Sequence, residues 1–98
     1  SYKLLNRSES ELKTLLTFLE ANPQVNIRVD GHTDNQGSDA HNATLSKNRA
    51  ISVREYLMRA GISNSRISTR GFGSSQPISS NKTEEGRKMN RRTEVIIL

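Results

Sequence analysis

The 98-residue sequence contains no cysteine and no tryptophan, and its aromatic residues are limited to two tyrosines and two phenylalanines. Without cysteine the chain forms no disulfide, and it offers no thiolate for a zinc finger or for nucleophilic catalysis. Because aromatic residues are so few, the core must be built from Leu, Ile, Val and Ala. A chain of this length suits one compact domain with a modest core and excludes a two-domain enzyme.

Long hydrophobic runs are also missing. No stretch approaches the roughly 18–20 apolar residues that a membrane-spanning helix needs. The opening residues, Ser1-Tyr2-Lys3-Leu4-Leu5, lack the apolar core of a signal peptide. The sequence therefore predicts that the chain as given is soluble.

The charge is positive overall and unevenly distributed, with a net value of +5. Residues 1–46 carry four basic and six acidic side chains, a balance of −2, and residues 47–98 carry eleven and four, a balance of +7. A basic half of this kind favours an anionic partner, such as a nucleic acid, an anionic polymer or a carboxylate ligand. The charge alone does not choose among them.

Three segments have helical signals. Ser8 and Glu11 have the spacing of a capping box before regularly spaced leucines, which predicts a helix over residues 8–21 that ends before Pro23. Ser38 can cap a second helix over residues 38–60, with Gly61 as its left-handed C-terminal cap. Thr83 can cap a short third helix over residues 83–90.

Three other segments have strand signals. Residues 25–30 alternate apolar and polar side chains, residues 66–72 have weaker strand character, and residues 93–98 suit a central, buried strand. The loop over residues 73–81 is rich in Gly, Ser, Asn and Pro. This order predicts an α/β (α+β) two-layer sandwich with helices on one face of a sheet. Because no strand precedes the first helix, we expect the chain to begin inside its natural domain.

The densest polar cluster is the loop over residues 31–38 with the helix that follows it. Ligands of open α/β sheets bind at such loops, at the carboxyl ends of strands. Asn42 and Arg49 are seven residues apart and share one helix face, and the side chain of Arg49 points back towards the loop that holds Asp34. Asp34 and Arg49 can therefore form a structural salt bridge, or they can receive the ammonium and carboxylate of a zwitterion.

Other chemistry has weaker support. His32, His41, Asp34 and Asp39 lack the spacing of known zinc sites. No serine lies in a Gly-x-Ser-x-Gly turn of the hydrolase type. We expect no metal ion, no cofactor and no enzymatic activity.

The segment over residues 86–92 contains four basic side chains. Such a run can be a solvated face, or it can contact nucleic-acid phosphates through Arg87, Lys88, Arg91 and Arg92. No aromatic residue lies within it to stack on a base, which weakens the nucleic-acid interpretation.

Taken together, these segments resemble the OmpA-like peptidoglycan-associating domain of the OmpA/Pal/MotB type. The resemblance covers about residues 8–98 and is specific because it is a long ordered series. The matching residues are Gly31-His32-Thr33-Asp34-Asn35, Gly37-Ser38, Asn42, Leu45-Ser46, Arg49-Ala50, Val53, Tyr56-Leu57, Gly61-Ile62, Arg66, Gly71-Phe72-Gly73, Pro77, Asn81, Thr83, Gly86-Arg87 and Asn90-Arg91-Arg92.

The resemblance implies a βαβαββ-type sandwich with a mixed sheet, forming a single domain over residues 1–98. It implies that Asp34 and Arg49 hold the zwitterionic end of diaminopimelate in the peptidoglycan stem peptide, with Thr33, Asn42 and Arg91 as supporting contacts. The family usually opens with a strand that ends in Phe-Asp, and none precedes Tyr2. We therefore expect an N-terminally truncated domain that lacks the first strand.

The function that the resemblance implies is non-covalent, non-enzymatic binding of peptidoglycan in the periplasm of a Gram-negative bacterium. The domain would anchor an outer-membrane protein to the cell wall, and it would reach the membrane only through segments outside the chain. Two alternatives stay open. One is a basic nucleic-acid-binding domain, and the other is the wall-binding domain of a flagellar-stator-type protein.

Overall fold

The computed structural model describes residues 2–4 and 9–98 of the chain, with side chains from residue 10 onwards. A 3₁₀ turn, Asn64–Arg66, leads into the third strand. In chain order, the strands and helices of the described residues are β1 (Tyr2–Leu4), α1 (Glu9–Ala21), β2 (Ile27–Gly31), α2 (Asp39–Arg59), β3 (Ile67–Gly71), α3 (Glu84–Asn90) and β4 (Thr93–Ile97).

The strands form one mixed sheet in the order β1-β4-β2-β3. β2 is parallel to β3 and antiparallel to β4, so that Val29 lies opposite Thr69 on one side and Val95 on the other. The core joins α1 and α2 to one face of this sheet. The expected two-layer sandwich, with helices on one face of a mixed sheet and β4 inside it, is confirmed.

The prediction that no strand precedes the first helix was wrong. Tyr2–Leu4 forms a strand whose partner is β4, with Tyr2 opposite Val95 and Leu4 opposite Thr93. A strand of three residues has too few positions to show a period of two in the sequence. Its antiparallel partner, β4, lies at the other end of the chain, so no local sequence pattern predicts the pairing.

The core is aliphatic, as the shortage of aromatic residues required. Its buried members are Leu15, Leu19, Ile27, Val29, Ala50, Val53, Leu57, Ile62, Ile67 and Val95. α2 packs closely on the end of β2, where a Cβ atom on Gly31 would collide with the backbone oxygen of Ser46. This close approach fixes the start of α2 against the loop that leaves β2.

Capping interactions set the helix boundaries. The hydroxyl oxygen of Ser38 accepts a hydrogen bond from the backbone N–H of His41, and that of Thr83 accepts one from Gly86. After α2, Gly61 has a φ of 105°, and the N–H of Ile62 donates to the carbonyl of Leu57, as in a Schellman motif. These caps confirm the predicted ends of the second helix and the start of the third.

The capping box predicted from Ser8 lies outside the described residues. The helix that follows runs over Glu9–Ala21, close to its predicted range. No helix among the described residues has the length and apolar character needed to cross a membrane.

Candidate functional site

Two backbone hydrogen bonds hold the loop that follows β2. The N–H of His32 donates to the carbonyl of Arg92 at 2.9 Å, and the N–H of Thr33 donates to the carbonyl of Gly73 at 2.8 Å. Asp34 follows at the carboxyl end of the strand and is only 7% exposed. A polar loop at this place is the usual position of a ligand site in an α/β sheet.

The carboxylate of Asp34 is held ionised. Burial alone would raise its pKa, but a hydrogen bond from the backbone N–H of Gln36 at 3.0 Å and one from Nη1 of Arg91 at 2.8 Å lower it, and the nearby charge of Arg87 adds to this effect. The net pKa is below the ordinary aspartate value. A carboxylate has about four lone-pair directions, so two partners leave others for a cationic ligand group.

Arg91 links Asp34 to a second carboxylate. Its Nη2 donates to Glu84 at 2.9 Å, and these two carboxylates raise the pKa of its guanidinium, with Glu84 as the larger cause. Hydrogen bonds from Arg91 and Arg87 in turn lower the pKa of Glu84. The Nη1 of Arg87 also donates to the carbonyl of Asn81. The structure therefore brings the predicted site residues Asp34 and Arg91 together.

Asn42 and Arg49 lie on α2, two helical turns apart. Asn42 is only 2% exposed and packs beneath the loop near Gly37. Among the described residues, its Nδ2 has no hydrogen-bond partner, although that atom is buried. Arg49 is half-buried on the same helix. The predicted joint action of Asp34 and Arg49 on one ligand stays a prediction.

Thr33 is buried, and both of its donor groups are used inside the loop. Its N–H bonds to Gly73, and its hydroxyl donates to the carbonyl of Asp34 at 2.8 Å. This side chain therefore fixes the backbone that carries the carboxylate. Its hydroxyl oxygen keeps lone pairs that could accept a hydrogen bond.

The two histidines of the polar cluster lie in different environments. His32 is buried and stacks on Phe72 with the ring centroids 5.2 Å apart and the planes 6° from parallel, whereas His41 is exposed on α2. Within residues 2–4 and 9–98, no group of three or more His, Asp or Glu side chains is arranged to hold a metal ion.

Arg92 belongs to the interior, which the sequence does not reveal. It is 2% exposed, and its Nε donates to Glu94 at 2.6 Å while its Nη2 donates to the carbonyl of Gln76 at 3.0 Å. The Nε2 of His32 lies 3.7 Å from the same carboxylate. A guanidinium in this position cannot reach a phosphate, which counts against the nucleic-acid interpretation of the basic segment.

Asn90 organises the long loop between β3 and α3, and the sequence analysis missed this role. Its Oδ1 accepts hydrogen bonds from the N–H groups of Ile78 and Ser79 at 2.8 and 3.0 Å. Its Nδ2 donates to the carbonyl of Ser79 and to Oδ1 of Asn81. The one signal for such an anchor in the sequence is the length of this loop, residues 72–83, in which polar residues and glycine outnumber the apolar Phe72, Pro77 and Ile78.

A model of the OmpA family matches residues 1–91 of the chain. Among curated proteins, outer membrane porin F of Pseudomonas fluorescens is 42% identical over 90 residues, which cover 92% of this chain and 28% of that protein. The peptidoglycan-binding protein ArfA of Mycobacterium tuberculosis is 42% identical over 96 residues, 98% of this chain and 27% of that protein.

The chain thus spans little more than a quarter of the length of these two relatives. Among solved structures, the peptidoglycan-associated lipoprotein from Burkholderia pseudomallei superposes with a TM-score of 0.88 at 23% sequence identity. The match covers 100% of this chain and 86% of that one. At this identity, the superposition supports the fold and not a shared ligand.

Proposed function

The chain belongs to the OmpA family, and on that premise we propose that it binds peptidoglycan through the diaminopimelate of the stem peptide. The observation that carries the proposal is the buried carboxylate of Asp34, kept ionised in a loop at the carboxyl end of β2. One relative over almost the whole chain, ArfA, is named as a peptidoglycan-binding protein.

The free end of diaminopimelate carries an ammonium and a carboxylate on one carbon. Asp34 accepts hydrogen bonds from the ammonium with the lone pairs that Gln36 and Arg91 leave open. Arg49 takes the carboxylate as a bidentate donor. The buried Nδ2 of Asn42, which has no partner among the described residues, donates to the same carboxylate.

Arg91 and Thr33 position this receptor. The Gln36 N–H and Arg91 together lower the pKa of Asp34 against the effect of its burial, and Thr33 fixes its backbone. A receptor with Asp34 as its anion and Arg49 as its cation favours a zwitterion over a ligand with a single charge. A ligand that is only an anion would meet the carboxylate of Asp34, and one that is only a cation would meet the guanidinium of Arg49.

The binding is non-covalent and involves no catalysis, metal ion or cofactor. A small exposed ligand held by a few charged hydrogen bonds gives modest affinity. Many such domains, each attached to an outer-membrane protein in the periplasm, would still hold the membrane to the wall, because each further contact is made at high effective concentration.

A pull-down with purified peptidoglycan tests the proposal. Asp34→Asn and Arg49→Ala should each remove most of the bound protein, because each deletes one half of the receptor. Arg54→Ala is the matched control, since Arg54 is also half-buried on α2 but lies outside the site. It should bind as the unmodified chain does.

Two results would contradict the assignment. Retention of full binding by both site variants would exclude Asp34 and Arg49 as the receptor. An NMR titration with free diaminopimelate gives the second check, and it should shift signals from residues 31–49 and residue 91. Shifts confined to other parts of the chain would place the ligand elsewhere.

A further inference from the structure

The strand β3 forms an edge of the sheet. In the order β1-β4-β2-β3, it pairs with β2 on one side and with none of the described strands on the other. The N–H of Phe72 donates to the carbonyl of Gly31, so the even-numbered residues along β3 direct their backbone groups towards β2. The backbone groups of Thr69 and Gly71 therefore point out of the sheet, where an extended peptide could pair with them.

The helix α2 packs along β3 and runs in the opposite direction. A Cβ atom on Gly73 would touch the backbone of Ala43, and one on Gly71 would collide with the backbone of Lys47. Lys47 is exposed, and Arg54 lies two helical turns further along the same face of α2. The helix therefore places two basic side chains beside the edge strand.

The positive charge along this edge has little compensation. Arg70 is exposed on β3, and among the described residues neither Arg54 nor Arg70 has an ion-pair partner. Asp30, which lies opposite Arg70 in the register, is bonded to Arg28 at 2.7 Å instead. Neither β3 nor the face of α2 over residues 47, 51, 54 and 58 contains an acidic residue. This edge therefore suits an acidic partner and disfavours a second copy of itself, which would bring like charges together.

Lys47 already occupies one of the outward backbone groups. Its Nζ donates to the carbonyl of Thr69 at 3.1 Å, and this hydrogen bond is exposed. An exposed hydrogen bond of this kind contributes about 1 kcal/mol or less to stability. A peptide N–H can therefore replace Lys47 at the carbonyl, and the released ammonium can pair with a carboxylate of the peptide.

We propose that β3 binds an extended acidic segment of a second protein as an additional strand of the sheet. The backbone of Thr69 and Gly71 supplies the hydrogen bonds, and Lys47, Arg54 and Arg70 pair with the carboxylates. A phosphate polymer would meet the same cations, but it lacks the N–H and carbonyl groups that match a strand edge. The surface uses none of the residues of the proposed diaminopimelate receptor, so the inference goes beyond the proposed function and does not depend on it.

NMR with a synthetic peptide tests the inference. The probe is a capped peptide of about eight residues, the length of an ordinary strand, in which glutamate alternates with threonine. Added to the nitrogen-15-labelled chain, it should shift the amide signals of Thr69 and Gly71 and slow their hydrogen exchange. The same peptide with every backbone nitrogen methylated keeps its charges but cannot pair as a strand. It should leave both amides unchanged.

Charge reversal at the edge is the second measurement. Lys47→Glu and Arg70→Glu should each weaken peptide binding about tenfold, because each places a carboxylate beside those of the peptide. Lys88→Glu is the matched control, since Lys88 is also exposed but lies on α3. It should bind the peptide nearly as the unmodified chain does. Circular dichroism would verify that the three variants are folded.

The outcomes separate strand addition from simpler attraction. Equal binding of the methylated peptide would mean that the edge attracts any polyanion, and an equal loss in Lys88→Glu would mean that net charge governs binding. Either result, or unchanged Thr69 and Gly71 signals in a large excess of peptide, would overturn the inference. A peptidoglycan pull-down reports separately on the proposed function, because Lys47→Glu and Arg70→Glu should both be retained by peptidoglycan.

Discussion

The carboxylate of Asp34 accepts a hydrogen bond from Nη1 of Arg91 at 2.8 Å, although 57 residues separate the two in the sequence. Arg91 directly follows α3, and Asp34 lies in the loop after β2. The pair therefore fastens the C-terminal part of the chain to the proposed ligand loop. Because Arg91 also bonds to Glu84 on α3, one of the hydrogen bonds that lower the pKa of Asp34 depends on the position of that helix.

Arg91→Ala should raise the pKa of Asp34. Burial raises the pKa of Asp34, and without the Arg91 guanidinium only the Gln36 hydrogen bond and the more distant charge of Arg87 lower it. A lowered pKa in the folded state stabilises the fold above the ordinary aspartate range, and that stabilisation is lost as the pH falls through the lowered value. The variant should thus lose about 1 kcal/mol at pH 7, and the difference should shrink in acid.

Carbon-13 NMR titration of the carboxyl groups, with urea unfolding at pH 7 and at about pH 2.5, would measure both effects. Arg70→Ala is the control, because Arg70 is exposed on β3. It should leave the Asp34 titration unchanged. An Asp34 pKa that stays equally low in Arg91→Ala would show that the hydrogen bond has no influence on ionisation.

Asn90→Ala should loosen the loop between β3 and α3. The change removes four hydrogen bonds and leaves the N–H groups of Ile78 and Ser79 without their acceptor. We expect a loss of about 2–3 kcal/mol in the free energy of unfolding. Amide hydrogen exchange over residues 76–82 should become faster.

Asn90→Asp separates the acceptor from the donor of this anchor, because it keeps the acceptor Oδ1 and replaces the donor Nδ2 with an oxygen. Its free energy of unfolding should lie between that of Asn90→Ala and that of the unmodified chain. Met89→Ala serves as control, since the neighbouring Met89 side chain is 43% exposed. Unchanged exchange in Asn90→Ala would mean that the loop is held by its other contacts.

The parts of the fold that the sequence predicted are those with local signals. The leucine spacing of α1, the Ser38 and Thr83 caps and Gly61 with its positive φ each act within a turn of the chain, and the helix limits fell within one or two residues of prediction. β1 was missed because its pairing with β4 joins the two ends of the chain.

The same difference between local signals and contacts distant in sequence explains which features of the candidate site could be predicted. Residues 31–38 were predicted to form a loop at the end of a strand because their polarity follows a clear strand, and the structure has β2 end at Gly31. The basic segment was harder to interpret, because four similar cations have different surroundings in space. Arg92 is buried, Arg91 and Arg87 are paired with carboxylates, and Lys88 is exposed. No local pattern distinguishes these four states.

Arg66→Ala should destabilise the end of α1. The helix has no basic residue in its last turn, and Arg66 supplies that charge from the 3₁₀ turn. Its guanidinium donates to the carbonyls of Leu19, Asn22 and Val25 at distances between 2.8 and 3.0 Å. The expected loss is about 2 kcal/mol in the free energy of unfolding, measured by urea denaturation.

Arg66→Lys should recover only part of this loss, since an ammonium cannot direct donors to three carbonyls as a planar guanidinium does. Arg59→Ala is a suitable control, because the Arg59 side chain is 78% exposed and pairs only with a neighbouring glutamate on α2 among the contacts described. Its stability should stay within about 0.5 kcal/mol of the unmodified chain. An equally stable Arg66→Ala would show that the three carbonyls are satisfied by water.

The last prediction concerns salt, because the net charge of +5 initially favoured any anionic partner. A nucleic acid that engaged the whole basic segment would contact four phosphates, and the logarithm of its affinity would fall with a slope of about −3 against the logarithm of the salt concentration. Arg92 is buried, and Arg87 and Arg91 are paired with carboxylates. We therefore expect a slope no steeper than about −1 for single-stranded DNA, measured by fluorescence anisotropy between 50 and 200 mM salt.

Peptidoglycan binding over the same salt range is the internal comparison. It should persist, because the proposed site pairs one ligand ammonium with a buried carboxylate, where dissolved ions screen little. Lys88→Ala should reduce the residual DNA affinity and leave peptidoglycan binding unchanged, since Lys88 is exposed and lies outside the site. A slope near −3 that Lys88→Ala makes shallower would instead restore the basic segment as a phosphate-binding surface.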